Sequence, residues 1–257
     1  MSVPRRYWRN LDWPLILAVL ALIAIGMVVI YSASYSQLLA AGLSPFHYVK
    51  RQLLAFGLGL VLAIIIVSID YRAWKRWTRL IYLANLLLLG GVLVIGKTVF
   101  GSQRWVRIGP ISIQPSELAK IALILVLAKF FEKKENAQSP KGIAQASLLT
   151  LIPMGLILLQ PDMGTAVIFI SLFFTMWFVG DANPKHMLIG GLTIILGATG
   201  AIFVSLKGWI KLIKPYQLTR LLVFLDPYAD RNGAGWNIIQ SMIAIGSGGF
   251  LRKGNLN

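Results

Sequence analysis

Few charged residues interrupt the apolar runs of this 257-residue chain, and two short clusters among them could do chemistry. The first is Gln114-Pro115-Ser116-Glu117-Leu118-Ala119-Lys120. Glu117 and Lys120 are three apart, so on a helix they share a face and can pair. The sequence leaves two readings open for that pair: a neutralised couple that locks one helix against its neighbours, or a Lys and a Glu facing a polar cavity. The second cluster is Gln160-Pro161-Asp162-Met163-Gly164-Thr165, with Asp162 just ahead of a helix start. An aspartate there caps the helix by accepting backbone N–H groups and meets the positive end of the helix dipole. The turn is so short that Asp162 must also lie near the mouth of a helix bundle.

Arg51, Arg104 and Arg107 fall in segments on the same side. A charge within an apolar span costs about 2.5 to 3.5 kcal/mol on insertion, so the few such charges in this chain are functional candidates, while the three arginines also read as solvated interfacial charge. Three arginines, one lysine and two carboxylates at one face of an apolar bundle suit an anionic amphiphile. Guanidinium groups bind phosphate oxygens bidentately, and grooves between helices accept an acyl or prenyl chain. Spacing of this kind does not separate a transferase from a transporter.

The elements that must hold these residues are membrane spans. Apolar residues make up 57% of the chain and charged ones 13%, against about 25% charged in a water-soluble domain, and the mean hydropathy is +0.72. The expected fold is therefore an all-α polytopic membrane protein. Seven apolar runs carry it, at 13–31, 53–69, 80–95, 113–131, 143–160, 165–180 and 187–206. The first is too long for a signal-peptide core, so it is read as a span. The absence of cysteine excludes disulfides, thiolate nucleophiles and cysteine-based metal sites, and His47 and His186 are too far apart in sequence to suggest a metal cluster. The net charge of +16 marks loops facing anionic lipid rather than nucleic acid.

Lysine and arginine counts in the connecting segments set the orientation. The N-terminus and the second, fourth and sixth loops together hold twelve, including Arg72, Lys75, Arg76 and Arg79 in the second, while the intervening loops hold five. The N-terminus is therefore expected on the cytoplasmic side. Residues 1–206 form the bundle of seven spans, and residues 207–257 a large, incomplete extracytoplasmic loop whose Gly-rich end has no helix or strand signal to close it. A cysteine introduced at Trp74 is expected to be shielded from an impermeant thiol reagent in intact cells, and one at Ser102 to be labelled. The reverse pattern would overturn the orientation.

These motifs resemble those of the SEDS family (shape, elongation, division and sporulation), polytopic peptidoglycan glycosyltransferases. The resemblance runs over nearly the whole chain: Gly26 with Tyr31-Ser32-Ala33-Ser34, Arg51-Gln52, Arg104-Trp105, Gln114 to Lys120, and Gln160 to Thr165. In the tail, Pro215-Tyr216-Gln217, Phe224-Leu225-Asp226-Pro227, Gly233-Ala234-Gly235-Trp236 and Gly246-Ser247-Gly248-Gly249 are similar to the elongation branch more than to the division branch.

The resemblance implies a bacterial cytoplasmic membrane enzyme that polymerises lipid II, a disaccharide-peptide on undecaprenyl diphosphate, during cell elongation. It implies a class B penicillin-binding transpeptidase and other elongation-machinery membrane proteins as partners, and a divalent cation as a possible cofactor. Arg51, Arg104 and Lys120 become candidate cations for the diphosphate, and Glu117 and Asp162 the groups that orient them. A lipid-linked precursor flippase and a non-catalytic, partner-binding fragment are the alternatives.

Two features depart from the family pattern. The family has about ten spans and a proposed catalytic aspartate in a His-Thr-Asp-Phe segment, which the resemblance places beyond Asn257, and Arg252 stands where the pattern has glycine. A His-Thr-Asp-Phe-like stretch and three further apolar runs are accordingly expected in the DNA 3′ of the last codon.

Overall fold

The computed structural model describes residues 12–95, 97–99, 102–108, 111–207 and 215–248. Helices coincide with all seven apolar runs: α1 (Trp13–Ala40), α2 (His47–Ser68), α3 (Tyr71–Ile95), α4 (Pro115–Phe131), α6 (Pro140–Leu159), α7 (Met163–Val179) and α8 (Pro184–Leu206). The short helix α5 (Lys134–Gln138) lies between α4 and α6, and α9 (Pro215–Leu225) and α10 (Trp236–Gly248) follow α8. α1, α2, α3, α6 and α8 are long and apolar enough to cross a membrane, and α7 is apolar but shorter, at 17 residues. The chain is a multi-pass helical membrane protein.

The structure corrects the sequence reading in four places. Residues 97–113 are not a plain loop but a three-stranded antiparallel meander of β1 (Lys97–Val99), β2 (Ser102–Ile108) and β3 (Ile111–Ile113). α1 runs past Tyr31 to Ala40 because its serines need not break it: the Ser34 hydroxyl donates back to the Ile30 carbonyl at 2.7 Å. α3 starts at Tyr71, so Arg72, Lys75, Arg76 and Arg79 belong to its first turns rather than to a loop. The end of the tail carries the 13-residue helix α10, entered through a turn that Asp230 organises by accepting the backbone N–H groups of Ala234 and Gly235.

The chain divides into two compact units, residues 1–70 with 223–257 and residues 71–222. In the first, α1 and α2 contact each other, Tyr31 stacks on Phe46 with ring centroids 5.0 Å apart, and Asp226 caps a 3-10 turn by accepting from the N–H of Tyr228.

The second unit holds the main core, in which Leu89 of α3, Leu123 and Leu127 of α4, Ile157 of α6, and Phe169 and Trp177 of α7 are all buried. Pro153 sits inside α6 and has no N–H to give the Leu149 carbonyl one turn back. The Tyr82 hydroxyl of α3 donates to that carbonyl instead, at 2.7 Å. Within a bilayer every backbone polar group must be met inside the protein, so the proline's missing donor is replaced by a neighbouring helix. Gly142 is needed at the α5–α6 corner, because a Cβ there would lie 2.2 Å from the Asn136 carbonyl oxygen.

Candidate functional site

One end of the second unit collects the polar residues that the sequence singled out there. The meander joins the end of α3 to the start of α4, and the turn at Gln160 to Asp162 joins the end of α6 to the start of α7. β2 brings Arg104 onto that turn. Its Nε donates to the Gln160 carbonyl at 3.2 Å, one terminal nitrogen donates to the Pro161 carbonyl, and the other stands 3.5 Å from Asp162 Oδ1. The carbonyls at a helix C-terminus carry partial negative charge, so a guanidinium fork suits that place even before the carboxylate is counted.

Asp162 caps α7 as its position in the sequence suggested, accepting from the Thr165 N–H at 3.3 Å. Its other oxygen accepts from the Thr165 hydroxyl at 2.9 Å and from Gln114 Nε2 at 3.1 Å. Gln114 is the residue before α4 and makes no side-chain cap of its own. Asp162 thus accepts three hydrogen bonds and pairs with the Arg104 guanidinium while only 6% exposed. It is therefore a junction that ties β2, α4 and α7 together.

Beneath the junction runs a buried polar seam that sequence reasoning missed. Gln160 Nε2 donates to the Leu89 carbonyl at 3.0 Å, and Asn85, one turn earlier on α3, donates to the Pro115 carbonyl at 3.3 Å. Ser116 Oγ and Gln160 Oε1 are buried at this seam with no hydrogen-bond partner among the described residues. The available signal was the presence of Asn85 and Gln160 in otherwise apolar runs, where an amide needs a partner.

Glu117 and Lys120 do pair, with Lys120 Nζ 2.9 and 2.8 Å from the two carboxylate oxygens. The pair is not sealed in the core: the Glu117 side chain is 58% exposed and that of Lys120 23%. Lys120 lies about 9 Å along the helix axis from Gln114.

Arg51 is exposed on α2, in the other unit, and the side chain of Arg107 lies outside the described residues. Among the described residues no group of three His, Asp or Glu side chains could hold a metal ion.

The chain is similar to known proteins along nearly its whole length. The family model described as cell cycle protein, covering FtsW, RodA and SpoVE, matches residues 13–257. Stage V sporulation protein E of Bacillus subtilis is 34% identical over 95% of this chain and 65% of its own length. A probable peptidoglycan glycosyltransferase FtsW of Trichlorobacter lovleyi is 36% identical over 95% of this chain and 62% of its own. Relatives named RodA also match. The chain thus spans just under two thirds of the length of the first of these relatives. Among solved structures, a chain of a peptidoglycan synthase complex that coordinates polymerization and crosslinking superposes with a TM-score of 0.74 at 38% identity, over 94% of this chain and 67% of that one.

Proposed function

We propose that this chain, which belongs to the FtsW, RodA and SpoVE family of cell cycle proteins, serves a peptidoglycan glycosyltransferase that polymerises lipid II at the outer face of the bacterial cytoplasmic membrane. The observation that carries the reading is the family match across nearly the whole chain, with relatives named peptidoglycan glycosyltransferase. In the reaction the 4-hydroxyl of one lipid II attacks the anomeric carbon of the growing strand, a base takes the hydroxyl proton, and undecaprenyl diphosphate leaves. The barrier lies in the developing charge on the diphosphate, which fixed cations stabilise.

Lys120 is the candidate cation for that charge in the second unit. Its only described partner is an exposed carboxylate one turn away, and Glu117 orients it. Arg104 is largely committed to the turn carbonyls and Asp162, so its role is to position the meander. The base is assigned to neither Asp162, which is buried in the junction and paired with Arg104, nor Glu117, which holds Lys120.

A role in elongation rests on the tail motifs, since the relatives carry sporulation, division and elongation names alike. A class B transpeptidase partner is supported by the similar chain in a synthase complex, and other elongation-machinery proteins rest on the same tail motifs as the elongation role.

Reconstitution of the complete reading frame with its transpeptidase in vesicles carrying fluorescent lipid II tests the proposal. Glycan polymer and released undecaprenyl diphosphate are expected. Movement of the headgroup across the bilayer without polymer would establish the flippase reading instead.

A further inference from the structure

The first turns of α3 present a basic flank that the polymerase reading does not use. Thr78, Tyr82, Asn85 and Leu89 mark the buried side of this helix. At 100° per residue, Arg72, Arg76 and Arg79 fall within an arc of about 60° that lies well away from that side. All three are exposed. Among the described residues neither Arg76 nor Arg79 has a carboxylate partner, whereas Lys75 on the inward side pairs with Glu132 at 2.6 Å. Further along, the arginine flank becomes purely apolar with Leu83, Leu87 and Val94, which are 56%, 77% and 83% exposed.

The depth of these residues matters. Residues 80–95 of α3 rise about 24 Å, which fills most of a hydrocarbon core of about 30 Å. Arg72, Arg76 and Arg79 therefore sit at headgroup level, with exposed Trp77 beside them in the layer that indole rings prefer. Cations at the headgroup and leucines below them complement a molecule with a negative head and an acyl tail.

We propose that this flank binds an anionic diacyl phospholipid of the leaflet in which α3 begins. The guanidinium groups of Arg76 and Arg79 hold its phosphate, Arg72 extends the positive field, and an acyl chain lies along Leu83 and Leu87. Guanidinium forks favour phosphate geometry over a single ammonium, and the helix holds them one turn apart, within reach of one headgroup.

Native mass spectrometry of the purified protein, titrated with phosphatidylglycerol or phosphatidylcholine, tests this. Wild type is expected to retain phosphatidylglycerol preferentially. Arg76→Gln with Arg79→Gln should weaken that retention about thirtyfold, and each single change about fivefold, with phosphatidylcholine unaffected; the single changes keep the test standing if the double variant folds poorly. Lys133→Gln with Lys141→Gln, which removes two other exposed cations, should leave retention within about twofold. Unchanged retention in the arginine variants would overturn the proposal and leave the flank to another partner, such as an acidic protein segment. An equal loss in the lysine variant would also overturn it, by showing that general positive charge is enough.

Discussion

Asp162→Ala is expected to lower stability by about 3 kcal/mol, the largest effect of any single change at the junction. Loss of the N-cap accounts for about 1 kcal/mol of it. The remainder comes from the groups left behind: the Gln114 amide and the Thr165 hydroxyl lose their acceptor, and Arg104 keeps two carbonyls but no counter-charge. Removing one partner of a buried pair costs more than the pair contributes. Asp162→Asn keeps an oxygen for the Thr165 N–H but turns an amide donor toward the donors on the other side, so it should fall between Ala and wild type. Arg104→Lys should also destabilise, because a point charge cannot serve the Gln160 and Pro161 carbonyls and Asp162 together. Melting curves in one detergent rank the four proteins. A melting temperature for Asp162→Ala equal to that of wild type would show that the junction holds nothing together.

That junction also shows what a sequence can and cannot convey. Asp162 was legible as a cap because capping is local: the carboxylate and the N–H it accepts are three residues apart. Glu117 and Lys120 were legible for the same reason, through a helical spacing. The partner of Arg104 was not, because it lies 56 residues away in the chain, and nothing in a spacing encodes which loop folds over which turn. Gln160 stands in a legible motif, yet its buried amide on the Leu89 carbonyl depends on how α3 and α6 meet.

Other misses have local causes. The strand signals of the meander were present in Gly101 and Gly109-Pro110, which punctuate residues 97–113, but the strands are short and mix polar with apolar residues on each face. The charge at the start of α3 gives it the look of a loop, although Lys and Arg are good helix formers and their long stems lie along apolar surface while their heads reach water. Glycines near its end hid α10, since Gly246 and Gly248 lower helix propensity without forbidding a helix.

The last expectation concerns Lys120, where stability and chemistry separate. If the ion pair were sealed in the core, breaking it would cost about 3 to 5 kcal/mol, and loss of activity could follow from misfolding alone. Glu117 is instead 58% exposed, so Lys120→Met, Glu117→Gln and their combination should each shift stability by no more than about 1 kcal/mol. Polymerase activity should respond quite differently. Lys120→Met is expected to reduce lipid II polymerisation at least about a hundredfold, the scale of losing one fixed charge at a developing oxyanion, and Lys120→Arg to recover part of it. Glu117→Gln should cost less, because the ammonium remains and only its orientation loosens. In the double variant, no charge is left unpaired but none faces the diphosphate either, so activity should stay as low as in Lys120→Met. A lipid II gel assay and a melting curve on the same variants, made in the complete reading frame, decide the matter. Wild-type polymer from the double variant would reduce Lys120 to half of a structural pair.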